Sequence, residues 1–217
     1  MDWLRMKLLK CLIRRTLLGA CVVSLHACAT TSSPVNHAAS VGTAIEASDG
    51  TSVRPFDGAA NSLVAFVFVS HECPIANAMM PDIIAIARTA KQHGVRLYAV
   101  HSSGWVDLNT VRSHAEAFAL TTAATVLHDQ SQDIARAIGA TITPEAALIR
   151  LDGHGGFERL YLGRVNDLYA GIGRRKANPT SNDFADAINA ALTDHAIASP
   201  QPKAIGCFIE LQPHSPY

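Results

Sequence analysis

Ser62-Leu63-Val64-Ala65-Phe66-Val67-Phe68-Val69, followed at once by Ser70-His71-Glu72-Cys73-Pro74, is the stretch that decides the fold. The continuous β-branched and aromatic run predicts a strand buried on both faces, which belongs in the centre of a sheet. Beyond Pro74 the period changes: Ile75, Met79, Ile83, Ile86, Ala87 and Ala90 recur at helical spacing, and Gly94 closes the helix. Cys73 therefore sits between a buried strand and the first turn of a helix, where unpaired N–H groups and the helix dipole favour an anion and hence a thiolate. Pro74 suits that first turn because it has no N–H to leave unsatisfied. Glu72 opposes thiolate formation and a protonated His71 would offset it, so the neighbours pull the acidity of Cys73 in opposite directions.

Working outward, Val95–Val100 reads as a second strand and Asp107–Leu120 as a second helix with Val111, Ala115, Phe118 and Ala119 on one face. Thr125–His128 is a short third strand. Ser131 is the expected cap of a helix running through Ile134, Ala135 and Ile138 to Gly139. Strand and helix alternate three times, which predicts an α/β domain with a mixed, mostly parallel central sheet and helices on both faces. Ala146–Leu151 and Phe157–Leu162 then flank Asp152-Gly153-His154-Gly155-Gly156, a C-terminal β-hairpin that adds an antiparallel edge. A last helix spans about Asn182 to Asp194, with Thr180 and Asp183 at capping-box spacing.

The N-terminal region has a different composition. Arg5, Lys7, Lys10, Arg14 and Arg15 precede the apolar run Thr16–Ala27, a signal-peptide pattern too short to span a bilayer. Leu25-His26-Ala27-Cys28 resembles a bacterial lipobox with Cys28 as the lipidated residue, and Leu18-Gly19-Ala20-Cys21 is the competing match. The expected organisation is a signal peptide over 1–27, a flexible tether over 28–53, the folded domain over 54–197 and a tail over 198–217. That predicts an extracytoplasmic protein, lipid-anchored on the periplasmic face of a bacterial membrane, with Ala29 after Cys28 leaning toward the outer membrane. The 18 Lys and Arg balance the 18 Asp and Glu, so no overall field draws the chain to nucleic acid. Once Cys11, Cys21 and Cys28 are set aside, Cys73 and Cys207 remain, and two thiols in an oxidising compartment usually form a bridge, permanent or cycling.

Three places resemble the thioredoxin-like superfamily, in particular its redoxin branch of alkyl hydroperoxide reductase and thiol-specific antioxidant proteins. They are the strand ending in Cys73-Pro74 with Pro81 beyond it, the loop Gly139-Ala140-Thr141-Ile142-Thr143-Pro144-Glu145 before a strand, and Arg159-Leu160-Tyr161-Leu162-Gly163-Arg164-Val165 after the hairpin. The resemblance covers about 54–196. It implies a thioredoxin-like fold, a cis Thr143–Pro144 bond facing the sulfur, and Thr143, Pro144 and Pro74 as the platform for a partner peptide. It also implies protein thiols and disulfides, or a peroxide, as partners, with no organic cofactor or metal required.

Departures from the family limit the chemistry. Ala76 stands where Cys-x-x-Cys proteins carry their second cysteine, and Phe66 replaces the proline upstream of a peroxidatic cysteine, although Ser70 matches the nearer hydroxyl position. The favoured reading is a thiol-disulfide oxidoreductase with Cys73 as nucleophile and Cys207 as resolving thiol. A permanent Cys73–Cys207 staple, worth roughly 4–5 kcal/mol by chain entropy for so long a loop, is its structural counterpart. A peroxiredoxin-like peroxidase with Ser70 assisting is the runner-up, followed by a redox-inactive interaction module and by copper binding through Cys73 with His71, His101 or His128. Copper carriers of the Sco type have a second cysteine where Asn77 stands here. Trp105, with Ser102, Ser103 and Gly104, is expected to pack over the sheet edge, the other reading being the wall of a substrate groove.

Overall fold

The computed structural model describes residues 42–199 and 201–213. Cys28 and the expected signal peptide lie outside these residues. In chain order the elements are β1 (Ile45–Glu46), β2 (Ser52–Val53), β3 (Leu63–Phe68), α1 (Pro74–Gln92), β4 (Arg96–His101), α2 (Leu108–Ala117), a 3-10 turn (Leu120–Thr122), β5 (Thr125–His128), α3 (Asp133–Ile138), β6 (Ile142–Thr143), β7 (Glu145–Leu151), β8 (Phe157–Gly163), β9 (Tyr169–Gly171), β10 (Arg174–Arg175), α4 (Asp183–Leu192) and β11 (Cys207–Phe208).

Five strands form the central sheet in the order β5-β4-β3-β7-β8. β3 is parallel to β4, and β4 to β5, whereas β7 runs antiparallel to both β3 and β8. The apolar run of β3 thus lies mid-sheet, and its alternate side chains enter two separate cores. Ala65 and Val67 pack with α1, α4 and the buried residues of α2, while Val64, Phe66 and Phe68 pack with α3, Phe56 and Phe157. Phe56 stacks on both Phe66 and Phe157 at 5.5 and 5.2 Å between centroids. Each such fully buried large side chain contributes roughly 1.5–3 kcal/mol, and β3 supplies them to both faces, which is why it fixes the centre.

Three local expectations are corrected. Residues 45–53, assigned to the tether, form the β1–β2 hairpin: Asp49 Oδ1 accepts from Thr51, Ala47 is buried and bridges Leu127 at the sheet edge, and Arg112 Nε donates to Ser48 O. A single buried alanine is too small a signal to mark that start. The cap of α3 is not Ser131, whose hydroxyl donates to Asp133, but Asp129, whose carboxylate accepts from the N–H groups of Ile134 and Ala135. Gln132 in a left-handed conformation turns the chain so that the carboxylate reaches over the helix start. Asp183 makes no capping box with Thr180; it forms a two-pronged ion pair with Arg164 at 2.7 and 3.2 Å, while Thr180 bonds to Asp167.

The tail after α4 does not trail into solvent. The side-chain amide of Gln201 accepts from Leu162 N and donates to Leu160 O, and Pro202 O accepts from Arg164 N, so the outer edge of β8 is closed. The chain then crosses to β6, where β11 pairs antiparallel with Cys207 opposite Thr143 and Phe208 opposite Ile142.

Candidate active site

Cys73 is the N-cap of α1. Its backbone is extended, its sulfur accepts from Ala76 N at 3.4 Å, and Pro74 opens the first turn as the sequence predicts. The Cys73 thiol donates to Thr143 O at 2.9 Å, so the sulfur is held between the helix start and the loop before β7. The Thr143–Pro144 bond is cis, as the resemblance implies. That loop is shaped by Glu145, whose carboxylate accepts from Thr141 N at 2.8 Å and Ile142 N at 3.3 Å. Burial pushes the Glu145 carboxyl up, against those two N–H donors.

Cys207 completes the site from the tail. Both thiols are free, and each shifts the acidity of the other. They are not equivalent. Burial alone would push Cys73 up, but the Ala76 N–H and the side chains of Cys207 and Thr143 outweigh it and hold Cys73 below the ordinary thiol value. Cys207 moves the opposite way, pushed up to about 11 by desolvation and by the neighbouring Cys73 sulfur. Cys73 is therefore the sulfur that gives up its proton first, releasing its bond to Thr143 O, and Cys207 the one that keeps it longer. Glu72, which the sequence sets against thiolate formation, is exposed with its carboxylate 3.7 Å from His71 Nε2.

Exposure inverts that order. Cys73 is 0% exposed, whereas Cys207 is exposed. The two thiols line a groove of about 550 Å³ whose rim carries Trp105 at 77% and Phe208 at 80% exposure. Trp105 therefore belongs to the groove wall and not to packing over the sheet edge. Ser70 also lines the groove, but its Oγ accepts from Glu72 N and its carbonyl from Cys73 N, so the hydroxyl closes the loop turn.

Behind the groove lies a buried polar chain that sequence reasoning missed. His101 Nε2 meets His114 Nδ1 at 3.2 Å, His114 Nε2 meets Asn77 Oδ1 at 2.9 Å, and Asn77 Nδ2 donates to His71 O. Burial, with His114 adding to it, pushes His101 down to about 3, so this imidazole is neutral. His128 instead bonds through Nε2 to Val106 O at 2.7 Å. Among the described residues no group of three or more His, Cys, Asp or Glu side chains is disposed to hold a metal ion. His114 had a signal in the sequence, a polar residue on the apolar face of α2 next to Val111 and Ala115, but its partner on β4 comes only from the fold.

Comparison with known proteins places the fold. No family model matches the chain, and no curated protein matches it. Among solved structures, an uncharacterized conserved protein from Geobacillus kaustophilus superposes with a TM-score of 0.67 at 20% identity, over 84% of this chain and 92% of that one. A hypothetical protein from Sinorhizobium meliloti gives 0.63 at 22% identity, over 83% and 99%. A protein of Neisseria meningitidis assigned to the thioredoxins gives 0.51 at 20% identity, over 75% and 90%. With the β5-β4-β3-β7-β8 sheet and a cis-proline loop facing a helix-capping cysteine, the chain has a thioredoxin-like fold.

Proposed function

We propose that the chain is a thiol-disulfide oxidoreductase in which Cys73 is the nucleophile and Cys207 the resolving thiol. The observation that carries this reading is the meeting of two thiols at one loop: Cys73 caps α1 with its sulfur on Thr143 O, and Cys207 lies directly opposite Thr143 across the β6–β11 pairing, with Cys73 held below the ordinary thiol value and Cys207 pushed up to about 11. The Cys73 thiolate attacks one sulfur of a substrate disulfide, forming a Cys73–substrate mixed disulfide and releasing the other substrate sulfur as a thiolate, which takes up a proton. Cys207 then loses its proton and attacks Cys73 Sγ, the Cys73–Cys207 bond forms, and the second substrate thiolate leaves. The substrate gains two electrons and the pair loses them; an external dithiol restores the pair. His101, neutral and buried beside the groove, carries no positive charge to compensate the forming thiolates.

The reading is tested by turnover of a model protein disulfide such as insulin with a dithiol as reductant. Cys73→Ser should lower the rate at least 100-fold, and Cys207→Ser should accumulate the Cys73–substrate mixed disulfide, visible by mass. Full activity in Cys73→Ser would reject the assignment. We further infer export and lipid attachment at Cys28 from the basic start and the apolar run before it. Loss of acyl labelling in Cys28→Ser, with labelling retained in Cys21→Ser, is the expected result.

A further inference from the structure

The low-value thiol is covered and the uncovered thiol is the wrong one for attack, and what stands over Cys73 is the tail. β11 lies on the free edge of β6 with Cys207 directly opposite Thr143, Ile209 N donates to Thr141 O at 2.8 Å, and Thr143 Oγ1 donates to Cys207 O at 3.4 Å. Gly206 passes so close to the loop that a Cβ there would overlap the Thr143 carbonyl oxygen. Beyond the strand, Ile209 is buried at 8% exposure, Gln132 Nε2 donates to Glu210 O, Gln212 N donates to Gln132 Oε1, and Arg136 Nη2 donates to Gln212 O. The edge carrying Thr143, the backbone beside the reactive sulfur, is thus filled by a segment of the same chain that itself presents a cysteine.

We propose that Gly206-Cys207-Phe208 is a built-in substitute for the substrate, occupying by antiparallel pairing the β6 edge that a disulfide-bearing polypeptide must use, so that tail and substrate exclude each other. The inference rests on the reading of Cys73 and Cys207 as an exchanging pair and deepens it in two ways. First, it names the substrate class: an extended polypeptide whose cysteine follows a glycine, because the Thr143 carbonyl leaves no room for a Cβ at that position, and precedes an apolar residue that can stand at the groove rim as Phe208 does. Second, it joins resolution to release. While the mixed disulfide exists, the substrate strand holds the β6 edge and Cys207 is displaced. Attack of Cys207 on Cys73 Sγ breaks the bond to the substrate sulfur and returns β11 to its edge, so bond exchange and strand exchange expel the product together.

The test uses a labelled peptide of the tail, residues 203–212 carrying Cys207→Ser so that no disulfide can form, titrated by fluorescence anisotropy into the full reduced chain. Gly206→Ala in the protein should undock the tail and raise affinity for the peptide at least tenfold over wild type. Gln132→Gly, which removes the amide anchoring Glu210 and Gln212 and suits the left-handed backbone at that position, should act in the same direction if Gly206→Ala fails to fold. A peptide carrying Gly206→Ala should not bind either variant. Equal affinity for wild type and a folded variant, or binding indifferent to glycine in the peptide, would overturn the proposal. Insulin turnover by the same preparations separates the two readings: absent turnover with intact exclusion removes the oxidoreductase reading alone, and normal turnover with equal peptide binding removes the strand exchange alone.

Discussion

At the scale of single residues, the chemistry rests on where two protons sit. Cys73 gains its acidity from the Ala76 N–H and the Cys207 thiol against the cost of burial, and Cys207 loses acidity to the same contact. Thiolate absorbance of the reduced chain should therefore rise in two separate steps, the first from Cys73 and the second, from Cys207, near 11. Cys207→Ala removes a donor and should move the first step up; a step that stays put or falls would show that Cys207 does not stabilise the thiolate. The stability of the reduced chain follows with a worked sign. Cys73, lowered in the fold, adds stability that is fully present above about 8.5 and lost as the pH falls through its folded value. Cys207, raised in the fold, adds stability that is present below about 8.5 and lost as the pH rises toward its folded value. The difference in unfolding free energy between wild type and the Cys73→Ala/Cys207→Ala chain should thus be greatest near pH 8.5 and fall on both sides. Cys73 and Pro74 were legible because strand, cysteine, proline and helix are adjacent in sequence. Gly206 and Glu145 were not, since their roles are set by a carbonyl and by amides that only the folded loop brings near.

At the scale of elements, short connecting segments carry the precision of the site. Asp129 holds the start of α3 through two N–H bonds and accepts Ser102 Oγ at 2.6 Å beside the groove. Asp129→Ala should cost about 1–2 kcal/mol, the loss typical of a helix cap, measured by denaturant unfolding; a cost under about 0.5 kcal/mol would return the cap to Ser131. Glu145→Ala frees the amides of Thr141 and Ile142, and because Thr141 O receives Ile209 N, amide exchange should speed up both in that loop and at Ile209. Acceleration in the loop alone would separate the tail from it. The central strands and α1 agreed with their periodicity because each buries a whole face. The β1–β2 hairpin, the α3 cap and β11 depend on one or two residues meeting distant partners, and periodicity carries no record of such meetings.

At the scale of the whole molecule, the central sheet and the separate β6–β11 pair bring the helix-capping Cys73 and the tail Cys207 to one groove, while Gln201, Pro202 and Gln132 tie the tail down on either side. Arg164 and Asp183 hold the end of β8 to α4 at the point where the tail crosses, which keeps the tail's path in register with the site. The resolving thiol is thereby supplied from the far end of the chain instead of from the helix turn where Ala76 stands. The most direct measurement is the intact mass of alkylated protein equilibrated across thiol-disulfide buffers of graded potential. A Cys73–Cys207 bridge that forms in oxidising buffer and opens at a mild potential, well above about −300 mV, is the expected result of a cycling pair. A bridge that persists in strong reductant without denaturation would make the pair a permanent staple, and two alkylated thiols at every potential would contradict exchange between them.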